Sequence, residues 1–403
     1  MSILGVWMWP YSIQQRGAEA VVGWCAKANV TDIYFLVKGM AGKAAYKSCF
    51  APNVCERDLL KELLQEAHAK GIRVHAWFTS ASDGHYKEQH PESGRCHFVR
   101  GKDKRLISLA DESYMAYMEN IIREVFTNYD VDGLHLDYIR YNHVAYGWAP
   151  EDLERYAAEG ADVDALCGMM KQLCETRDEN PLLDAARSGD QNVLALARAR
   201  RKDVVRFAQR MIRAAKAVKD NVILTAALLP EGAYEDTTFA DLHYGQNYED
   251  ASKLYDYVLP MAYSAAYKQD GQWVKDVIER SIQRGLKTVA GVHAYEGGTG
   301  PSLKEDIDAL ADSPVDGICL FREGATAFAF ANGENMTVCN ALSETLTKVI
   351  AAIGDETVEY ERCIESGAEV VLPIKGIPQQ VQVFAGAAER CVYLTVECAD
   401  KRP

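Results

Sequence analysis

The chain has 403 residues, 48% of them hydrophobic and 25% charged, enough for a barrel-sized domain and a small appendage. A net charge of −14 argues against a nucleic-acid backbone as partner, which would need basic patches, and no run approaches the ~18 apolar residues of a membrane span. The 11 cysteines form no CxxC pair or zinc-spaced cluster, and Met1-Ser-Ile-Leu-Gly-Val-Trp7 lacks the basic and long apolar regions of a signal peptide, so free thiols in a reducing cytoplasm are expected, with no metal and no cofactor.

Strand-like runs alternate with amphipathic helices from the first residues onward. Leu4–Trp9 and Asp32–Val37 come first, followed by a helix marked by Leu59, Leu60, Leu63, Leu64 and Ala67, with Gly71 as its stop. Arg73–Thr79 is the third strand. A helix through Met118, Ile121, Ile122 and Val125 leads to the fourth, Gly133–Ile139. A third helix carries Val204, Val205, Ala208, Met211, Ile212 and Ala215, before strands Val222–Leu228 and Tyr257–Ala262. Val274, Val277, Ile278 and Ile282 mark a helix ahead of strand Thr288–Ala294. Pro301-Ser302 with Glu305 reads as a capping box before Leu303, Ile307 and Leu310. Gly317–Phe321 is the eighth strand, and Val338 to Ile350 predicts the last helix.

Eight apolar strands with intervening helices predict a closed (β/α)8 TIM barrel over residues 1–354. A doubly wound sheet is the competitor, but no glycine fingerprint follows the first strand. Asn142 to Arg201 is too long for an ordinary strand–helix loop and reads as a helical insertion: a lid, a substrate wall or a decorative subdomain. From 355 to 403 the apolar pattern switches to period two (Val358, Tyr360; Val370, Leu372; Val381, Val383; Val392, Leu394, Val396), which predicts a small antiparallel β unit.

The fourth strand is the anomaly. Val131-Asp-Gly-Leu-His-Leu-Asp-Tyr-Ile-Arg-Tyr141 places polar groups on a buried strand, where they are costly unless paired or used. Asp132 precedes a glycine at the strand start and reads as a turn or cap. Asp137 falls where the strand runs out, the end at which a parallel barrel displays catalytic groups. Other strand ends carry Trp7, Trp9, Lys38, Trp77, Arg140, Tyr263, His293 and Arg322. Rings among charged groups suit a carbohydrate, whose C–H faces stack while its hydroxyls need partners. Trp7, Trp9 and Trp77 could equally be core. Glycosidic cleavage uses two carboxyl groups. Asp137 fits the nucleophile or charge-stabilising role, with His135 or Arg140 beside it. Glu231, after the fifth strand, is the first candidate for the acid, and Glu296, after the seventh, the reserve.

Tyr129-Asp-Val-Asp-Gly-Leu-His-Leu-Asp-Tyr-Ile-Arg-Tyr141 resembles the fourth-strand signature of the family-10-like glycosyl hydrolases, a group of barrel hydrolases. Leu109-Ala-Asp111, Arg201-Lys-Asp-Val-Val-Arg-Phe207, the Leu224–Pro230 strand, Gly245-Gln-Asn-Tyr248 and Tyr257-Val-Leu-Pro-Met-Ala-Tyr263 are similar too. Asn142 stands where the family has a Pro, and Asn247-Tyr248 where it has Asp-Trp. The same strand is similar to that of the alpha-amylase superfamily. That likeness implies a nucleophilic Asp137 and an acid from the fifth strand, hence Glu231. The chitinase-type acid position is Ile139 here, which removes that chemistry. The resemblance implies a glycoside hydrolase acting on a carbohydrate, and Tyr141, which ends the same polar segment, is counted among the binding residues. A silent carbohydrate-binding barrel is the alternative, and a metal-dependent lyase or isomerase a more distant one.

Overall fold

The computed structural model describes residues 3–294 and 303–396. Eight mostly buried strands form one parallel sheet: β1 (Ile3–Met8), β2 (Asp32–Lys38), β3 (Arg73–Thr79), β4 (Gly133–Asp137), β5 (Ile223–Leu228), β6 (Tyr257–Pro260), β7 (Val289–His293) and β8 (Gly317–Phe321). Each pairs with its neighbour in chain order from β1 to β6 and from β7 to β8, and β8 pairs with β1. Parallel bridges Val258–Thr288 and Met261–Gly291 bring β6 to β7 and close the ring. The (β/α)8 barrel read from the sequence is present, with strand ends displaced by a residue or two.

Helices Leu59–Ala69, Glu112–Asn128, Gln191–Lys216 and Gly271–Gln283 start in the same way. Asp58, Asp111, Asp190 and Asp270 precede them, and each carboxylate accepts main-chain N–H groups of the first turn. Their apolar faces pack on the outside of the sheet in the largest hydrophobic cluster.

The interior of the barrel is partly polar, and its polar groups are bonded to one another. Asp32 accepts two hydrogen bonds from Arg73 at 2.8 Å and lies 2.7 Å from His75 Nε2. Burial opposes ionisation of Asp32, but the His75 and Arg73 bonds hold its pKa down to about 2. Tyr34 stacks on His75 at 4.5 Å. Trp7 Nε1–H donates to His135 Nε2 at 3.0 Å, and His135 Nδ1 meets Thr225 at 2.9 Å. Space here is tight: a Cβ on Gly133 would stand 2.1 Å from His75 Nδ1 and 2.9 Å from the Ile223 carbonyl. Asp132, at the opposite end from the mouth, accepts from Val74 N–H as a turn residue.

Two excursions rise from the C-terminal ends of β3 and β4. The first contains the helix Gly84–Gln89 and a hairpin of Gly94–His97 and Gly101–Ile107. The second contains Pro150–Ala158, Val163–Thr176, Asn180–Arg187 and the first half of Gln191–Lys216. Its apolar residues, including Trp148, Tyr156, Met170, Leu183 and Leu196, form a hydrophobic cluster of their own.

After β8 the chain builds β9 (Ala327–Ala331), β10 (Asn335–Cys339), β11 (Leu346–Ile353), β12 (Glu356–Ile364), β13 (Glu369–Pro373), β14 (Gln380–Ala385), β15 (Ala388–Arg390) and β16 (Val392–Val396). They make two four-stranded sheets, ordered β13-β10-β9-β16 and β12-β11-β14-β15, around a third cluster. Phe328 and Phe330 on β9 join the barrel's own core.

The helix predicted from Val338 to Ile350 is corrected to two strands, and the β region starts at Ala327. Apolar residues there recur at helical intervals, but Asn340 breaks the run. Its Oδ1 accepts Leu342 N–H, and its Nδ2 donates to the carbonyls of Glu344 and Ile364, which makes a turn. The capping box at Pro301-Ser302 lies outside the described residues.

Gly133→Ala is expected to destabilise the fold by roughly 1–3 kcal/mol through overpacking against His75, read as a lower midpoint in urea unfolding.

Candidate active site

Asp137 ends β4 at the mouth of the barrel and is 5% exposed. Its Oδ2 accepts Trp77 Nε1–H at 3.3 Å from β3. Its Oδ1 accepts the main-chain N–H of Tyr138 at 2.6 Å and Arg140 Nη1–H at 3.2 Å. Every group bonded to it is a donor, as an ionised carboxylate requires. Tyr138 has φ +53°, a region that costs a bulky residue energy and is found where the surroundings hold it in place. The Arg140 guanidinium lies 4.5 Å over the Tyr138 ring. Strand end, strained turn and cation therefore hold one carboxylate.

Glu231 sits in the short turn Pro230–Ala233 directly after β5. Its Oε1 accepts the hydroxyls of Tyr244 at 3.3 Å and Tyr267 at 3.1 Å. Its Oε2 is buried and has no hydrogen-bond partner among the described residues. Burial and the Glu231 charge push both tyrosine hydroxyls far above their ordinary range, while Arg140 acts on both in the opposite sense. The charge beside Asp137 thus reaches the tyrosines that hold Glu231. The backbone ties the same two loops together. Tyr141 N–H donates to the Tyr244 carbonyl at 2.9 Å, and Gln246 bonds both the Ile139 carbonyl and Leu229 N–H.

Aromatic groups border the mouth. Trp9 is 38% exposed and carries the Arg322 guanidinium 3.8 Å from its ring. Tyr263 stacks on Phe321 at 5.3 Å and lies 5.9 Å from His293, whose pKa burial pulls down to about 4. Sequence-predicted residues not on this wall are in internal contacts. Trp7 and His135 bond each other beneath the mouth. Lys38 is fully buried, 2.8 Å from Asp83. Tyr141 is buried between the Arg95 and Arg200 guanidiniums and donates to Asp203 at 2.8 Å. Asn142 accepts from Arg95 at 2.8 Å. Glu296 lies outside the described residues.

The sequence reading missed Tyr138, Tyr244 and Tyr267, since a tyrosine on a loop carries no periodic signal. It also missed His143, Glu179 and His243, whose potential ligand atoms all lie within 4.8 Å of one another. These come from three distant stretches of chain, so no local spacing marks them.

Two outcomes test these electrostatics. Lys38→Met leaves Asp83 as an unpaired buried charge and should cost about 3–5 kcal/mol in chemical unfolding. His243 and His293 are held down to about 3 and about 4 from 6.5, mainly by burial. Below pH 6.5 these two side chains therefore bind more protons in the unfolded chain than in the folded one, so their contribution to stability rises with pH through this window and is lost as pH drops towards 4. The thermal midpoint should fall over that range, and less steeply in His243→Leu.

Residues 8–283 match the model of the glycosyl hydrolase-like 10 family. No curated protein sequence matches the chain. Among solved structures, the PgaB (BpsB) glycoside hydrolase domain from Bordetella bronchiseptica aligns with a TM-score of 0.62 and 13% identity, over 80% of this chain and 94% of that one. The catalytic domain of β-amylase from Paenibacillus polymyxa aligns at 0.56 and 10%, over 80% and 92%. The GH42 β-galactosidase Gan42B from G. stearothermophilus aligns at 0.55 and 14%, over 80% of this chain and 51% of that one. At such identities the likeness is one of fold, the barrel of glycoside hydrolases. The family match runs from the end of β1 to the helix before β7 and takes in both strand ends just described: the chain belongs to the glycosyl hydrolase-like 10 family.

Proposed function

We propose that the protein hydrolyses a glycosidic bond in an oligosaccharide or glycoconjugate, with Asp137 and Glu231 as the working pair. The observation that carries this reading is the contrast between the two carboxyl groups. Asp137 is met on both oxygens by donors, one of them a guanidinium. Glu231 is held through Oε1 by two hydroxyls, while Oε2 is buried without a partner and so is the oxygen able to carry a proton. Different surroundings on adjacent strands are how two like groups take opposite roles.

In this mechanism Glu231 Oε2 gives its proton to the glycosidic oxygen as the C–O bond breaks. The positive charge that develops at the anomeric carbon faces Asp137. Asp137 then either bonds to that carbon, to be displaced by water that Glu231 deprotonates, or stabilises the charge while water attacks and passes its proton to the Glu231 carboxylate. The exposed Trp9 and the Tyr263–Phe321 stack supply faces for the sugar rings. Glu296 is the alternative acid.

Turnover is measured first over a panel of oligosaccharides and aryl glycosides. On the substrate found, Asp137→Asn should lower kcat by roughly a thousandfold or more while the protein stays folded by circular dichroism. Glu231→Gln should lower kcat/KM strongly with an ordinary leaving group and little with a dinitrophenyl glycoside, whose departure needs no acid. Wild-type turnover in Asp137→Asn overturns the assignment. Sugar binding with no turnover on any glycoside favours a silent binding barrel.

A further inference from the structure

A second cleft, of about 570 Å³, lies between the hairpin after β3 and the helical insertion, lined in part by His97, Arg100, His143, Arg177 and Glu179. The tautomers of its two histidines, and of His243 behind Glu179, are fixed by the backbone. His97 Nδ1 accepts the main-chain N–H groups of Val99 and Arg100 at 3.1 and 3.2 Å. His143 Nδ1 accepts that of Ala145 at 3.1 Å, and His243 Nδ1 that of Val144 at 3.4 Å. A main-chain amide can only donate, so each Nδ1 presents a lone pair and each neutral ring carries its proton on Nε2. Burial first, then nearby cations including Arg200, keep the His143 and His243 rings from charging.

Two of these Nε2–H groups point at one place. Those of His143 and His243 lie 3.7 and 3.3 Å from Glu179 Oε2. The His243 side chain is 1% exposed, and its Nε2 makes no hydrogen bond. A buried N–H donor without an acceptor is costly and is found where a further group is to be met. Arg100 and Arg177 add two cations to the lining. Neither has an ion-pair partner among the described residues, and Arg100 rests 5.9 Å from the Tyr146 ring. His243 links the cleft to the proposed acid. His243 precedes Tyr244, which bonds Glu231, and their rings lie 6.1 Å apart.

We propose that this cleft is a subsite for an anionic substituent of the substrate, a carboxylate or phosphate on an acidic saccharide, and that Glu179 faces the same donors when the subsite is empty. The proposal rests on the glycosidase reading and narrows its substrate class. His143, Glu179 and His243 could also be read as metal ligands. That reading needs Nε2 lone pairs, which the backbone hydrogen bonds turn into N–H groups, and it sets a cation beside the Arg200 guanidinium, which lies 3.5 Å from the His143 carbonyl.

Calorimetric titration tests it with glucuronate, glucose 6-phosphate, glucose and zinc chloride, on wild type, R100S/R177S, Glu179→Gln and Asp137→Asn. One of the anionic sugars should bind at least about tenfold more tightly than glucose, and which one names the source of the charge. The double variant should lose that preference, and Glu179→Gln, which removes a competing charge, should strengthen it. Asp137→Asn should keep it, so a failure of the hydrolytic reading remains separable from a failure of this one. The absence of a preference for the anionic sugars, or its survival in R100S/R177S, overturns the proposal. So does stoichiometric zinc binding that His243→Ala abolishes, which assigns the cluster to a metal.

Discussion

A carboxylate almost out of water has to be met by donors, and at Asp137 those donors come from three directions: Trp77 on the neighbouring strand, the main chain of Tyr138 and the guanidinium of Arg140. The first depends on the β3–β4 register, which pairs Thr79 with Asp137 and Trp77 with His135. The second depends on a left-handed turn that a tyrosine adopts only under constraint. The third depends on the chain continuing as Ile139, Arg140 and Tyr141, whose backbone is bonded to the loop after β5. Moving any of these misplaces the carboxylate and disturbs the backbone tie to Tyr244, which bonds Glu231.

The same rule, that charge and polarity removed from water must be met, governs the rest of the barrel. Asp32 is satisfied by Arg73 and His75, Lys38 by Asp83, and Glu323 by Ser12 and Arg16. Such pairs add little net stability over a well-packed apolar core, but losing one partner is expensive. They restrict which arrangements of the strands are tolerable. In a ring of near-identical apolar strands, that restriction favours one register over its neighbours.

The strands were legible because buried parallel strands are short apolar runs between turn signals, and Asp137 was legible because it interrupts such a run at its end. Glu231 could be read from its position after β5 but not from its surroundings: Tyr244 and Tyr267 reach it from later loops, and only the closed barrel brings them there. The hairpin after β3 escaped because Gly101–Ile107 is mostly exposed and rich in Lys, Arg and Asp, with no apolar alternation. The last helix was misread for the opposite reason. Its apolar spacing suited a helix, and the decisive signal was a single side chain, Asn340, bonded to its surrounding backbone.

The helix Gln191–Lys216 belongs to two cores at once. Val193 and Leu196 pack within the insertion, while Phe207 and Met211 pack on the barrel. At 1.5 Å per residue it is a continuous rod of roughly 39 Å. A flap that opens and shuts needs a hinge where few contacts cross, and here the joint is the uninterrupted middle of a helix, with Asp203 bonded to both Tyr141 and Arg155. The insertion is therefore joined to the barrel as a buttress, without a hinge along that helix. A wall held in this way would cost a ligand little binding energy in closure. It also means that residues far out on the insertion can alter what fits without disturbing the strands that carry the carboxylates.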